Sequence, residues 1–323
     1  MRILILSKTG RMLGIADRLQ QEGHSVNMAI LDDARSEVGD GIVAKVEFAL
    51  ELSENYNLII AEEYVPDLHR KGIPVFGGYK IAGRINGDTR QNASVIRLAG
   101  IRLPLDKALD GTALSVGAFW DGNGFAVAHL VWNDGEAKNY VKRININAHI
   151  FTKGLGLLGR WMKKTDYRGY VRLRFLLADG ELYGLGLNMA CEPDILQTLF
   201  ELKKGDIGNL FNSVAIGQVD EGEWHNGIAA GVRVSRTGYY RGIPIGGIIP
   251  ENKRHIWFQS VMKDGGYHCV QSENPILYVT AGSNYLLSCK RRIDRTLYYI
   301  KINGAEHNTD FPEEITKTIT EWL

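Results

Sequence analysis

The alternation of apolar runs with an amphipathic helix at the amino terminus constrains the fold more than any other feature of this sequence. Residues 2–6 form a short apolar run, as expected for a strand buried on both faces of a parallel sheet. A turn, a helix over residues 12–22 and a second strand over residues 26–31 are predicted to follow. Further buried strands are predicted over residues 57–61 and 73–76. The chain is therefore predicted to begin with an α/β unit built on a parallel sheet.

Composition sets bounds on the rest. The chain has 323 residues, enough for two or three compact units, and a net charge of +1, so no global field draws it to nucleic acid or membrane. Its three cysteines are widely spaced and suggest neither a disulfide framework nor a zinc site. The apolar run at the amino terminus is too short for a signal peptide or a membrane span. We expect a cytoplasmic protein that has no membrane partner.

The loop after the first strand is a candidate anion site. It carries Lys8, Thr9, Gly10 and Arg11 just before the predicted helix. Backbone N–H groups at a helix start, at the carboxyl edge of a parallel sheet, attract anions, and two basic side chains add to this. The loop lacks a complete glycine-rich nucleotide motif, so a tight turn with solvated basic residues remains the alternative.

A second candidate site lies where residues 182–202 change from strand to helix. The strand is predicted to end at Asn188, and the helix to begin after Glu192, Pro193 and Asp194. A polar residue at the end of a buried strand and facing a helix start is a common position for ligand chemistry. The structural alternative is that Asn188 is a turn residue and that Glu192 caps the helix.

Residues 139–174 are locally basic, with aromatic side chains at Trp161, Tyr167 and Tyr170. Basic and stacking residues together suit a phosphorylated or single-stranded nucleic-acid ligand. The alternative is a solvated helix face followed by a strand whose arginines point outward at alternate positions. The candidate phosphate contacts are Arg160, Lys163, Lys164, Arg168 and Arg172.

The remaining elements are predicted to be mostly short strands. A hairpin is predicted over residues 113–132, with its turn at residues 121–124, and a connection over residues 203–212. The carboxyl-terminal part is predicted to hold strands over residues 228–234, 256–261, 276–281 and 285–289 and a helix over residues 291–301.

Several of these passages share one further property. Gly10-Arg11, residues 72–104, Asn188 with the following Glu-Pro-Asp, and residues 234–244 and 277–293 occur in this order along the chain. In that order they resemble the phosphoribosylamine–glycine ligase (glycinamide ribonucleotide synthetase) family of the ATP-grasp superfamily. The resemblance covers nearly the whole chain.

The matches and departures divide by function. Lys80, Ala82 and Gly87 fall on matching positions, and Glu63 matches an acidic residue near the family's small substrates. The family's magnesium-binding Glu, the Arg that follows it, and the Ser-Lys pair that holds nucleotide are replaced by Gly186, Ala190 and Asp88-Thr89. The small β-rich lid that closes over ATP in the family is missing between Pro104 and the predicted hairpin.

The resemblance implies an α/β fold of three parts. Residues 1–102 are expected to form an amino-terminal parallel-sheet, Rossmann-like (pre-ATP-grasp) domain. Residues 103–226 are expected to form a reduced ATP-grasp core, and residues 227–323 a small β-rich carboxyl-terminal domain. The implied substrate-binding residues are Lys8, Thr9, Gly10, Arg11, Lys80, Asn188 and Asp194, with Glu63 and Glu192 as the candidate bases.

The missing parts are those that use ATP, so the resemblance implies an amino-acid transferase that needs none. It would join glycine, or another small amino acid, to a pre-activated phosphorylated nucleotide or DNA acceptor. A bacteriophage amino acid:DNA transferase would carry out such a step. No cofactor is expected, and magnesium is the one metal ion that remains a candidate. An ATP-dependent ligase and a non-catalytic nucleotide- or nucleic-acid-binding protein remain the alternatives.

Overall fold

The computed structural model describes residues 1–104, 110–134, 138–271 and 275–311. The amino-terminal unit is built from β1 (Arg2–Ser7), α1 (Leu13–Gln21), β2 (Ser25–Ile30), β3 (Ala44–Lys45), β4 (Leu58–Ala61) and β5 (Val75–Gly77). All neighbouring strands pair in parallel, in the order β3-β2-β1-β4-β5. Every residue of β1 after Arg2 is buried, as is all of β4. The predicted amino-terminal parallel sheet is therefore confirmed.

Two helices lead out of this unit, α2 (Lys80–Gly87) and α3 (Thr89–Leu98). Asp88 lies between them and caps α3, because its carboxylate accepts hydrogen bonds from the backbone N–H groups of Arg90 and Gln91 at 2.9 and 3.1 Å.

Most of the remaining elements belong to one antiparallel sheet and the helices that cover it. They are β6 (Thr112–Trp120), β7 (Phe125–Asp134), β8 (Lys138–Arg143), α4 (His149–Thr152), α5 (Gly159–Met162), β9 (Gly169–Ala178), β10 (Glu181–Asn188), α6 (Pro193–Phe200), α7 (Ile207–Ile216), β11 (Ile228–Val234), β12 (Pro244–Ile245), α8 (Pro250–Lys253), β13 (Ile256–Phe258), β14 (Val261–Lys263), β15 (Tyr267–Cys269), β16 (Leu277–Ser283) and α9 (Leu286–Tyr299). The large sheet has eight strands in the order β10-β9-β6-β7-β8-β11-β16-β13, and a small sheet has the order β12-β15-β14. The predicted hairpin is present as β6 and β7.

The predicted boundary between residues 226 and 227 falls inside the large sheet. Strand β11 pairs with β8 on one side and with β16 on the other. The first strand of the predicted carboxyl-terminal part is thus hydrogen-bonded to the predicted core.

Three predicted elements differ from the structure. Residues 256–261 were predicted as one strand and instead form β13 and the start of β14, which belong to different sheets. Residues 285–289 form the cap and first turn of α9 rather than a strand, because the buried Cys289, Ile293 and Leu297 recur at helical spacing. The predicted connection over residues 203–212 contains the start of α7. Asp206 initiates that helix by accepting hydrogen bonds from the N–H groups of Gly208 and Asn209.

Helix α6 joins the two sheets. All of its residues except Asp194 are buried, and it packs against β8, β11 and β16 as well as against α1 of the amino-terminal unit. Its amino-terminal end therefore lies beside the carboxyl ends of β1 and β4. No helix in the described ranges is both long enough and apolar enough to cross a membrane.

Candidate active site

A cleft of about 650 Å³ opens at the carboxyl edge of the parallel sheet. It lies at the switch point where the connections from β1 and β4 leave in opposite directions, which is where open α/β sheets bind ligands. Arg11 and Glu63 line it from the loops after β1 and β4, while Asn188 lines it from the end of β10 and Glu192 from the loop that follows. Four residues chosen from three separate parts of the sequence are therefore brought to one cleft.

A buried carboxyl group lies at the base of this cleft. Glu62 is 4% exposed, and one of its oxygens accepts a hydrogen bond of 2.5 Å from the hydroxyl of Ser7, at the end of β1. Burial raises the pKa of Glu62, although the Ser7 hydrogen bond and the nearby Arg11 charge act against this shift. Glu62 is thus a carboxyl group that takes up a proton more readily than an exposed one.

The loop after β1 is held by internal hydrogen bonds. The backbone N–H of Gly10 donates to the hydroxyl of Ser7 at 3.1 Å, so this donor points inward. Gly10 has a φ of +85°, and a Cβ there would lie 2.5 Å from a methyl carbon of Val38. Glycine is required at this position because the backbone conformation and the close packing both exclude a side chain.

The exposed side chains of this loop are paired with acids. Lys8 lies 3.9 Å from Glu63, and both side chains are more than half exposed. Arg11 lies 3.6 Å from Asp194, in the first turn of α6. Asp194 also accepts a hydrogen bond of 3.0 Å from the side chain of Asn139. Thr9, at the tip of the loop, is half-buried.

Glu192 is held in an ion pair with Arg172. Nε of Arg172 donates to one carboxylate oxygen at 2.6 Å, and Nη2 donates to the other. Nη1 donates to the hydroxyl of Ser115 at 3.0 Å. The two side chains are 11% and 15% exposed, so this is a nearly buried, bidentate pair. Glu192 occupies the cap position of α6 but makes no capping hydrogen bond with its side chain.

Two asparagines fix the strand end that carries Asn188. Asn92 forms hydrogen bonds to both the N–H and the carbonyl of Leu187, at 2.9 and 2.6 Å. Asn86 accepts a hydrogen bond of 3.0 Å from the N–H of Met189. Both lie on the helices α2 and α3, which therefore hold the end of β10 on each side of Asn188.

Comparison with known proteins places this arrangement in a fold. No protein-family model and no curated protein matches the sequence. Among solved structures, phosphoribosylamine–glycine ligase from Thermotoga maritima has a TM-score of 0.74 at 17% identity, covering 97% of this chain and 100% of the ligase chain. The biotin carboxylase domain of a single-chain bacterial carboxylase has a TM-score of 0.66 at 11% identity, covering 99% of each chain. Urea carboxylase from Kluyveromyces lactis has a TM-score of 0.68 at 12% identity, covering 99% of this chain and 32% of the other.

The chain has an ATP-grasp fold. At identities this low the likeness concerns the fold, and the chemistry has to be judged from this chain's own residues.

Magnesium and ATP are implied by the family resemblance, and the end of β10 does not fit magnesium. Gly186 offers no side-chain ligand, and both oxygens of Glu192 accept hydrogen bonds from Arg172. In the part of the chain that the structure describes, three metal-ligating side chains converge at Glu22, His24 and Asp206, which do not line this cleft. A hard cation needs several oxygen ligands whose negative charge is not already balanced by another cation, and this strand end does not provide them.

The connection that holds the lid in the ATP-grasp ligases is short in this chain. Thirteen positions, residues 99–111, separate the end of α3 from the start of β6. A folded sheet of even three strands needs about five residues for each strand and further residues for its turns. The interval therefore has no room for a β-rich lid.

The other predicted contacts lie apart from the cleft. Lys80 is exposed at the first position of α2 and does not line the cleft. Arg160, Lys163 and Lys164 are exposed on and just after α5. Arg168 is half-buried and donates a hydrogen bond of 2.6 Å to the carbonyl of Ala215.

The predicted nucleic-acid surface has lost two of its aromatic side chains to the core. Tyr167 and Tyr170 are fully buried, so neither ring is available to stack on a base. Arg172 does not point outward as the alternating pattern predicted, because it is turned inward to Glu192. Arg174 on the same strand is exposed, as predicted.

Sequence analysis missed Glu62 as a candidate. Glu62 and Glu63 both follow a buried strand, and Glu63 was favoured because it matches a family position. Glu62 directly follows β4, and the register of β4 with β1 places it beside Ser7, the buried last residue of β1, which is its hydrogen-bond partner. A Ser at the end of one central strand and a Glu after the next are the signal that would have indicated this pair.

Proposed function

We propose that this protein is an amino-acid transferase that joins glycine or another small amino acid to a pre-activated phosphorylated nucleotide or DNA acceptor, without using ATP. The observation that carries the proposal is the cleft at the switch point, where a buried carboxyl group of raised pKa faces a space lined by Arg11 and Asn188. A volume of about 650 Å³ is ample for an amino acid and part of an acceptor.

The charges around the cleft complement a free amino acid. Glu62 and Glu63 lie on one side and would receive the ammonium group, while Arg11 would receive the carboxylate. The ligase with the same fold is named for glycine and phosphoribosylamine, which supports a small amino acid as one substrate. Helices α2 and α3 hold the end of β10 in place. The side-chain amide of Asn188, which lines the cleft there, would orient the bound substrate.

The absence of space for a lid and the poor fit to magnesium favour an acceptor that arrives activated. In the proposed step, the amine nitrogen forms a bond to the activated carbon of the acceptor. The bond from that carbon to the diphosphate oxygen breaks, and diphosphate leaves with the bonding electron pair. One proton of the ammonium group passes to Glu62 before the attack, so charge and atoms balance without a further reactant.

Glu62 is better suited to receive this proton than the predicted Glu192. Glu192 already accepts two hydrogen bonds from Arg172, and protonating it would break a nearly buried pair. Glu62 has a raised pKa because of burial, which brings it closer to neutral pH, where a general base is most effective. Glu63 is exposed and paired with Lys8, so we assign it to substrate binding.

Titration calorimetry with glycine and, in parallel, with magnesium–ATP tests the proposal. Glycine binding without ATP binding is expected. Turnover would then be measured with radiolabelled glycine and a thymidine derivative activated by diphosphate at its methyl carbon. Clear ATP binding, together with conversion of ATP to ADP when glycine and phosphoribosylamine are both present, would instead support the ATP-dependent ligase. Glycine binding with no turnover on any activated acceptor would support a non-catalytic binding protein.

A further inference from the structure

A second cavity, which we call the basic cleft, lies at the opposite end of α6 and has a volume of about 440 Å³. Its lining includes Arg18, Lys203, His225, Arg254, His255 and Arg292. None of its lining residues lines the candidate active site. The basic cleft is therefore separate from the amino-acid site and needs its own explanation.

Four positively charged side chains, three Arg and one Lys, line this cavity together with a single carboxylate. That carboxylate, Glu201, is 7% exposed and is already hydrogen-bonded, because it accepts from Nδ1 of His255 at 3.0 Å and from the hydroxyl of Thr280 at 2.6 Å. No carboxylate in the described parts of the chain lies within 4.0 Å of the charged groups of Arg18, Lys203, Arg254 or Arg292. Like charges gathered around a cavity repel one another, so this arrangement is favourable when an anion occupies it.

Each of the three arginines makes one hydrogen bond within the protein, which leaves most of its N–H donors available. Arg18 donates to the carbonyl of Arg254 and lies over the ring of Trp257 at 4.3 Å. Nη1 of Arg292 donates to the carbonyl of Gly282 at 2.6 Å, and Nε of Arg254 donates to His255 at 2.9 Å. A guanidinium group has five N–H donors, so each arginine is oriented by the protein and can still bind a ligand.

The start of α9 adds to the same field. Ser283 and Asn284, which lie just before the cap residue Tyr285 of the fourteen-residue helix, line the basic cleft. No side chain caps this helix. Its amino-terminal N–H groups and dipole therefore contribute further positive potential at the rim.

We infer that the basic cleft binds phosphate groups, either of a free nucleotide or diphosphate or of a nucleic-acid backbone. Several planar guanidinium groups around one cavity can donate paired hydrogen bonds to the multiply charged oxygens of a phosphate, whereas a carboxylate ligand would offer one charge and two oxygens. The inference goes beyond the transferase activity and does not depend on it, because no residue is shared between the two sites.

The test compares two pairs of substitutions that each remove two exposed positive charges. Arg254→Gln with Arg292→Gln changes the basic cleft, and Arg160→Gln with Lys163→Gln is the matched control on the surface near α5. Binding of inorganic diphosphate is measured by titration calorimetry at low salt. We expect the first pair to weaken binding by about tenfold or more, since each lost charge-assisted contact is worth about that factor. The control pair should change it by less than about threefold, through long-range charge alone.

An Arg11→Gln variant separates this site from the proposed active site, where diphosphate would leave. It should bind diphosphate at the basic cleft as the wild type does. Loss of binding in the Arg11 variant, with normal binding in the Arg254/Arg292 variant, would overturn the inference, as would a wild-type protein that does not bind diphosphate. Circular dichroism and thermal unfolding of each variant verify that it is folded.

Competition identifies the source of the phosphate. A single-stranded DNA of about twenty nucleotides that displaces diphosphate, with a steep loss of affinity at higher salt, indicates a nucleic-acid backbone. A nucleoside monophosphate that competes when the DNA does not indicates a free nucleotide. If the control pair weakens DNA binding as much as the Arg254/Arg292 pair, nucleic acid is held by general surface charge and the inference fails for that ligand.

Discussion

The carboxyl group of Glu62 lies between the buried hydroxyl of Ser7 and the open cleft, and its role can be tested with one isosteric change. Glu62→Gln keeps an acceptor for the Ser7 hydroxyl but cannot take up a proton. If Glu62 is the base, kcat for amino-acid transfer should fall by about 100-fold or more, with a smaller change in KM. Steady-state kinetics with the diphosphate-activated acceptor measure both constants.

The pH dependence provides the second part of this prediction. Because burial raises the pKa of Glu62, the wild-type rate should rise with pH through that value as the carboxyl group loses its proton. The rise should be absent in Glu62→Gln and retained in the matched variant Glu63→Gln. An unchanged kcat in Glu62→Gln would exclude Glu62 as the base.

Glu22 gives a prediction about stability rather than activity. Burial, reinforced by the negative charge of Asp206, raises the pKa of Glu22 from 4.5 to about 7. The folded state therefore binds this proton more tightly than the unfolded state does. The resulting contribution to the free energy of unfolding is fully present below the unfolded pKa of 4.5 and is lost as pH rises to about 7.

Glu22→Gln should remove this dependence while retaining an acceptor for the N–H of Ile207, which Glu22 binds at 3.0 Å. Urea unfolding at about pH 5 and about pH 8 should show a smaller loss of stability in the variant than in the wild type. Glu47→Gln, at an exposed carboxylate, serves as the control and should retain the wild-type difference. An equal loss in both variants would contradict the assignment to Glu22.

At this scale, the sequence predicted residues that line one cleft but not how each side chain is used. Arg11 and Asn188 were chosen because they follow or end strands near a helix start, and Glu63 because it matches a family position; all three line one cleft. The pairing of Arg172 with Glu192 could not be predicted, because it depends on a crossing between β9 and the loop after β10. Alternation alone indicates which residues share a face, and it does not say which face is covered.

At the scale of single elements, Asp88 has a structural role in the chain. The resemblance places a nucleotide-binding pair at Asp88-Thr89, and here the Asp88 side chain caps α3. Asp88→Ala should destabilise the protein by about 1 kcal/mol, because two N–H groups at the start of the helix lose their acceptor. Chemical denaturation measures this change. Asp88→Asn keeps a capping oxygen and should cost clearly less, and a loss as large as that of the alanine variant would argue against capping.

Prediction of elements succeeded where a periodic pattern was long and failed where it was short. Strands β1, β4 and β11 have continuous apolar runs and were found nearly at their limits. The start of α9 was taken as a strand because it opens with Tyr285, Leu286 and Leu287, and the helical spacing becomes clear only with Ile293 and Leu297. Helix α7 was missed because its capping Asp206 follows a run of charged and glycine residues that is typical of a loop.

At the scale of the whole molecule, hydrogen bonds and packing join the elements on both sides of residue 226. Strand β11 connects β8 to β16, and α6 packs against strands on both sides of that connection. The division into three parts, which was predicted from the order of the resembling passages, stays a prediction. Hydrogen bonding across residue 226 was not predictable, because it depends on strand order, which local patterns do not determine.

The continuous sheet makes a prediction about cooperativity. If β8, β11 and β16 unfold as one unit, the most protected amide groups of all three strands should exchange with solvent at the same free energy of opening. A separate carboxyl-terminal domain would instead allow β16 to open at a lower free energy than β6, which lies two strands from β8. Hydrogen exchange measured by mass spectrometry at a series of urea concentrations below the unfolding transition distinguishes the two cases, because the opening free energies of strands in one unit converge as urea is added.

Strands β12 and β15, which pair with each other in the small sheet, provide the internal comparison. Convergence of β6, β8, β11 and β16, with independent opening of β12 and β15, is the expected result. Separate convergence of the strands before and after residue 226 would show that the large sheet divides there during unfolding, despite its continuous hydrogen bonds.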